Sequence, residues 1–234
     1  MTTLVALVLA GLFTFLKPIH ESNEALYNKK AILSAVATKL DSPLSEMSGE
    51  QIEELFTTSI EQKVIKLNGQ EVSKEEVVAA GYKGGKAEDI NIRKEKRKSD
   101  AERLLPLYTY TDSKGVKSYI VSIVGNGLWD EIWGNIALED NASTIAGVAF
   151  DHQAETPGLG AEIKDNTSWK NQFNGKELYA ANGDFKSIDV VKGGSKGGPH
   201  EVDGISGATI TADGVAEMIS RGMQYYQPYF EKNK

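Results

Sequence analysis

An apolar run at the start of the chain constrains its folding more than any other feature. Residues 3–16 read TLVALVLAGLFTFL and carry no charge. A helix that crosses a bilayer needs about 20 predominantly apolar residues, so the run is short as written. Three readings compete. A secretory signal requires a basic segment before the run and small residues at a cleavage site, and neither is present. A buried core helix suits the length. A membrane helix whose N-terminal end lies outside this sequence is the reading carried forward. Lys17-Pro18 closes the run, as expected at an interface. Lys17, Lys29 and Lys30 follow it, and a bare count of positive charge would put the rest of the chain in the cytoplasm. That count carries little weight if the preceding flank is missing.

Composition narrows the chemistry. Lys and Arg number 26 against 33 Asp and Glu, a net charge of −7, which gives no electrostatic footprint for a phosphate backbone. Nucleic acid is therefore not an expected partner. There are 0 Cys, which removes disulfides, iron–sulfur clusters and thiolate catalysis. The 3 His (His20, His152 and His200) are too few for a multi-histidine metal site, and no metal is expected. Redox chemistry on this chain requires an organic cofactor.

Beyond the anchor, residues 18–40 have a helix-like apolar face of Ile19, Leu26, Ile32, Leu33 and Val36. Ser48-Gly49-Glu50-Gln51 is a capping-box pattern opening a short helix with Ile52, Leu55 and Phe56. Residues 63–67 alternate and meet Asn68-Gly69, a hairpin signal. Residues 72–100 are charged and Gly-bearing, and their RKEKRK segment (93–98) is the most basic in the chain. The plain reading is a solvated insertion; the sharper one is a docking surface for an acidic partner or anionic lipid. From Leu107 the pattern becomes strand-like: 107–111, a turn at 112–115, 116–124, then 132–139 and 144–151. Residues 166–173 read as a short helix, 188–192 as a strand and 212–226 as a helix. The expected class is α+β. It comprises a single membrane anchor (1–17), a helical stem with the charged insertion (18–105), and a domain with a mostly antiparallel sheet flanked by helices (106–234).

Three glycine-bearing loops stand out: GNGLW (125–129), ETPGLG (155–160) and DGISGAT (203–209). The third precedes a helix. Small residues let a ligand approach the backbone, and the helix start offers unsatisfied N–H groups and the positive end of a dipole. Anions bind well there. Thr209 adds a hydroxyl, and Lys192, Lys196 and His200 lie shortly before it. A tight turn with a threonine near a cap satisfies the same spacing.

DGISGAT resembles the flavinylation motif D-x-x-[ST]-G-A-T of FMN-binding domains, and the other two loops resemble that family in the same order. The stretch from about residue 107 to 230 is similar to the C subunit of the Na+-translocating NADH:quinone oxidoreductase, as is the apolar start followed by KPI-x(4)-EAL. Residues 72–100 depart from the pattern. The resemblance implies covalent FMN on Thr209 through a phosphoester. Asp203, Ser206, Gly207 and Ala208 become the context read by a separate Mg2+-dependent flavin transferase that uses FAD. It implies Trp129 near the flavin, Thr156 and Leu159 against the ring, Glu155 and Gly158 shaping their loop, and Lys192 close by. No residue is expected to act as a general base or nucleophile, since the flavin transfers the electrons.

Singly, each residue has a simpler use. Trp129 and Trp133, four apart on one strand, would share a face, so either could simply be core. Glu155 suits a turn, Lys192 and His152 suit solvent, and Asp203 suits a turn through its own backbone. The leading expectation is an electron-transfer subunit that relays electrons between redox centres of partner subunits. It has no NADH site of its own, because no G-x-G-x-x-G lies between a strand and a helix. It would sit in the bacterial inner membrane with the FMN domain on the outer, periplasmic side. The alternatives are the homologous G subunit of the Rnf ferredoxin:NAD+ oxidoreductase and, in another class, a non-catalytic membrane-tethered binding or sensor module.

Overall fold

A computed structural model describes residues 2–233. Its first helix, α1 (Thr2–Ser34), runs unbroken through Pro18. Lys17-Pro18 ends the apolar run but not the helix: a proline removes one N–H donor, here the one facing the Thr14 carbonyl. Leu4, Leu7, Phe13 and Phe15 are all exposed, so no part of the described chain covers them, and a buried core helix is set aside. By length and composition α1 can cross a membrane. Only its far end docks on the domain, through Ile32 and Leu33, with Ala35 and Val36 just beyond. Tyr27 donates to Asp151 and accepts from Lys164 Nζ at 2.9 Å, which ties the helix to the sheet. The stem ends in a 3-10 turn, Ala37–Lys39.

The short helix α2 (Gly49–Ser59) starts with the expected box: the Gln51 N–H donates to Ser48 Oγ at 3.3 Å, and the Ser48 N–H to Gln51 Oε1 at 2.8 Å. Five strands follow as an antiparallel meander in chain order: β1 (Ile60–Lys66), β2 (Leu104–Thr111), β3 (Lys117–Asn126), β4 (Glu131–Leu138) and β5 (Ile145–His152). The Asn68-Gly69 turn forms, but its returning arm makes only an isolated bridge, Ile65 to Glu71. The main partner of β1 is β2, in register from Ile60–Tyr110 to Lys66–Leu104. The sheet therefore includes a strand from well before residue 106.

The sheet is covered on both faces, and period-two alternation sorts its residues. Leu105, Leu107, Val121 and Ile123 enter one core with Val215, Met218, Ile219 and Tyr226 of the last helix, α7 (Thr209–Lys232). Leu104, Tyr108, Tyr110 and Ile120 enter the other with Phe56 and the stem end. Residues 72–100 are largely exposed, as a solvated stretch would be, but they are pinned to the domain at a few buried positions. Helices α3 (Lys74–Ala79) and α4 (Ile92–Glu95) flank a turn at Ala87–Asp89, and Val77, Ala87 and Ile90 are buried in the second core. Glu95 is fully buried; its Oε2 accepts from the Leu104 N–H at 2.8 Å, and its Oε1 receives Tyr82 and Lys98. The basic run is also less open than its composition implies, because Arg93 and Arg97 turn onto Glu131 and Lys98 onto Glu95.

The short helices α5 (Glu162–Asp165) and α6 (Thr167–Asn171) follow β5, and a parallel pair, β6 (Asp189–Val191) and β7 (Glu201–Asp203), precedes α7. The α+β class with a mostly antiparallel sheet flanked by helices is borne out. α7 lies close to β3 because glycines face the contact. A Cβ on Gly214 would collide with the Asn126 carbonyl, one on Gly222 with Ile123, and one on Gly125 would lie 2.6 Å from Met218 Cβ. We predict that Gly214→Ala lowers stability. Overpacking costs about 1–3 kcal/mol, and the better helix propensity of alanine returns about 1 kcal/mol. Chemical denaturation checks the sign; a more stable variant contradicts the packing described.

Candidate functional site

The first two glycine loops and the start of α7 meet at one buried carboxylate. Glu155 is 5% exposed. Its Oε1 accepts the Trp129 backbone N–H at 3.0 Å, and its Oε2 accepts the Thr211 hydroxyl at 2.6 Å. Its own N–H donates to His152 Nδ1 at 3.1 Å. A Cβ at Gly127 or at Gly160 would run into this carboxylate, so glycine at both positions lets the loops close around it. A buried polar group is costly unless bonded, and here both oxygens are bonded.

The second loop then reaches the third. Leu159, 42% exposed, packs over Gly207, where a Cβ would lie 2.6 Å from Leu159 Cδ2. Gly207 has φ +76°, and Gly158 is likewise left-handed at +74°. Thr156 Oγ1 accepts the Trp129 indole N–H at 3.2 Å. Trp129 itself is 67% exposed and lies in the loop before β4, where Gly127 N–H donates to the Asp130 carbonyl at 2.8 Å. Trp129 and Trp133 thus do not share a strand face; Trp133 belongs to β4 and stacks under Arg93 at 4.6 Å.

α7 begins at Thr209 itself, three residues earlier than its apolar pattern implies, with Ala208 at the N-cap and no side chain capping it. The first N–H groups of α7 therefore lack intrahelical partners. They face a cleft of ≈ 470 Å³ lined by Lys192, Gly193, Gly194, Asp203, Gly204, Ser206, Gly207 and Thr209 among others. Among the described residues nothing bonds the Thr209 hydroxyl. Asp203 is half-buried and structural in this arrangement: its Oδ1 accepts the Ser195 N–H at 2.6 Å, its N–H donates to Gln172 Oε1 at 2.9 Å, and its carbonyl accepts the Trp169 indole at 2.6 Å. Lys192 stands exposed on the cleft wall, and Ala208, just before Thr209, is buried.

The far wall is the 193–198 loop, with positive φ at Gly193, Gly194 and Gly197. Asp203 holds one side and Glu201 the other: Glu201 Oε1 accepts from Lys196 N–H at 2.8 Å and Gly198 N–H at 2.9 Å. The bonds from Gly198 and Lys196 hold the Glu201 carboxyl below its ordinary range.

Known proteins share this architecture. The FMN-binding domain family matches residues 127–224. The Na(+)-translocating NADH-quinone reductase C subunit of Pseudomonas aeruginosa is 34% identical, over 93% of this chain and 88% of that protein. The Haemophilus ducreyi C subunit is 30% identical over 100% and 91%. The chain belongs to the C-subunit family of these reductases. The crystal structure of the C subunit from Parabacteroides distasonis superimposes with TM-score 0.76 at 32% identity, covering 92% of this chain and 96% of that one.

The residues at the cleft fit an FMN: an uncapped helix start with a hydroxyl for the phosphate and glycines where a backbone must come close, while Leu159 packed on Gly207, and exposed Trp129 and Leu128 on the neighbouring loop, offer apolar surface beside it. The chain is thus a membrane-anchored flavoprotein subunit of an electron-transferring oxidoreductase. Sequence reasoning missed Thr211, Ser195 and Gln172. The signal for Thr211 is its place just after Thr209, on the inward side of the helix.

Glu201 supplies a pH test. A carboxyl lowered in the folded chain contributes above its unfolded value and loses that contribution as pH falls through the folded value. We predict that the Lys196 and Gly198 amide shifts titrate together in acid, below the ordinary glutamate range, and that Glu201→Gln abolishes the titration. NMR checks both; shifts that titrate in the variant contradict the loop anchoring.

Proposed function

We propose that this chain carries FMN covalently on Thr209 and relays electrons between redox centres of partner subunits in a Na+-translocating NADH:quinone oxidoreductase. The observation that carries the reading is the start of α7: the unbonded Thr209 hydroxyl stands on an uncapped helix N-terminus in a glycine-walled cleft. Loading is the work of a separate Mg2+-dependent flavin transferase. Thr209 Oγ1 gives up its proton and bonds the FMN phosphorus of FAD, the pyrophosphate bond breaks, and AMP leaves. Asp203, Ser206, Gly207 and Ala208 present the threonine to that enzyme.

In the loaded chain the α7 N–H groups receive phosphate charge. Glu155 and Gly158 fix the second loop, Thr156 and Leu159 would bear on the ring with Trp129, and Lys192 brings a cation to the cleft. Bound FMN supplies electron transfer, and the protein sets its place and potential. No side chain is asked to act as acid, base or metal ligand. NADH and Na+ are handled by other subunits. α1 anchors the chain in the lipid bilayer of the bacterial inner membrane, with the FMN domain on the periplasmic side, where a covalent bond prevents loss of the cofactor. The C-subunit relatives favour this complex over the Rnf complex, and the intact 203–209 motif favours flavinylation over a sensor role.

The test is co-expression with a flavin transferase and a denaturing gel. The chain's band should fluoresce under ultraviolet light, and Thr209→Ala should be dark; a fluorescent variant overturns the assignment. A second prediction concerns the walls. Trp129→Ala and Lys192→Ala should each shift the flavin's absorption spectrum or midpoint potential while the covalent band persists. Spectra and potentials unchanged in both variants would remove these residues from the site.

A further inference from the structure

We propose that Lys96 is a positioning residue for the flavin site: it fixes the 125–131 loop and, through it, Trp129. The flavin part of this inference rests on the function proposed above. Lys96 follows α4, in the charged stretch that sequence alone reads as a solvated face or a docking surface. Its Nζ donates to Asn126 Oδ1 at 2.6 Å and to the Gly125 carbonyl at 3.2 Å, and lies 3.9 Å from Glu131. It thus contacts both ends of the loop whose tip is Trp129. Arg93 Nε reaches Glu131 at 2.8 Å and Arg97 reaches it at 3.6 Å. Burial opposes the charge of Glu131, and these cations outweigh it and hold the carboxyl below its ordinary range.

The segment that bears Lys96 is itself fixed. Arg103 donates to the carbonyls of Glu95, Lys96 and Lys98 at 3.1, 3.2 and 3.1 Å, and its guanidinium lies 5.2 Å from the Tyr225 ring of α7. Gly214 of α7 supports the loop from the other side, at the Asn126 carbonyl. The loop is therefore gripped between α4 and α7 before its tip reaches Glu155 and Thr156. Lys96 thus joins the two ends of a loop whose tip carries an exposed aromatic bonded to the second glycine loop.

Hydrogen exchange on the full-length chain in detergent, without flavin, tests the grip directly. Lys96→Met removes two hydrogen bonds from a charged donor, and we expect exchange over residues 125–131 to quicken by about tenfold after allowance for partial exposure. Lys96→Arg, which keeps charged N–H donors, should restore protection. Lys94→Met, on the same segment but outside this set of bonds, should leave it unchanged. Unchanged protection in Lys96→Met overturns the proposal, and so does a rise spread evenly over the chain.

In the loaded chain, the visible circular dichroism of the flavin should change in Lys96→Met and return in Lys96→Arg. A loop that loosens with no change in that signal overturns the link to the flavin. A loop that responds as expected in a chain that never acquires flavin counts against the proposed function and leaves the grip of Lys96 standing.

Discussion

The bonds made by the buried Glu155 carboxylate hold this site together. One oxygen takes a backbone N–H from the first glycine loop and the other a hydroxyl from the final helix, while the residue itself begins the second loop. A carboxylate removed from water needs such donors, so its burial brings separate parts of the chain to one place. Gly127 and Gly160 are the steric counterpart, since side chains there would occupy the space of the carboxylate. The third loop joins through Leu159 over Gly207 and through the start of α7.

The rest of the fold fixes the two bodies that Glu155 links. β3 carries the first loop at its end and receives α7 along its length, at a distance set by Gly125, Gly214 and Gly222. β5 leads into the second loop, and just before it Asp151 binds Tyr27 and Lys164. The stem is therefore attached to the sheet four residues ahead of Glu155. A helix that can span a membrane continues without a break to that attachment. The cofactor domain is coupled to its anchor by helix and hydrogen bonds, where a flexible linker would have left it free.

Much of this is legible in the sequence, and the remainder has physical reasons. Alternation marks β2 to β5, and Ser48 with Gln51 announces α2. The three loops can be seen because glycine, proline and threonine in short strings have few uses. The role of Glu155 cannot, because a glutamate after a strand carries no sign that it will be buried. Pro18 reads as a boundary, yet a helix tolerates one missing donor. Spacing puts Trp129 on a strand with Trp133, but the Gly127–Asp130 turn takes it out of the ladder. The charged stretch misleads most. Its composition is that of a solvated face, whereas Glu95 is fully buried and several of its cations are held by partners distant in sequence: Lys96 meets Asn126 thirty residues away, a pairing no local pattern encodes.

The central claim is that these loops converge to hold FMN on one threonine. Peptide mass mapping of the chain purified after co-expression with its flavin transferase tests that claim most directly. The account predicts an FMN-phosphoryl addition on the peptide containing Thr209, localised by fragmentation to that side chain. An unmodified Thr209 peptide, with the flavin on another residue or absent from a chain whose transferase modifies a control substrate, would contradict it.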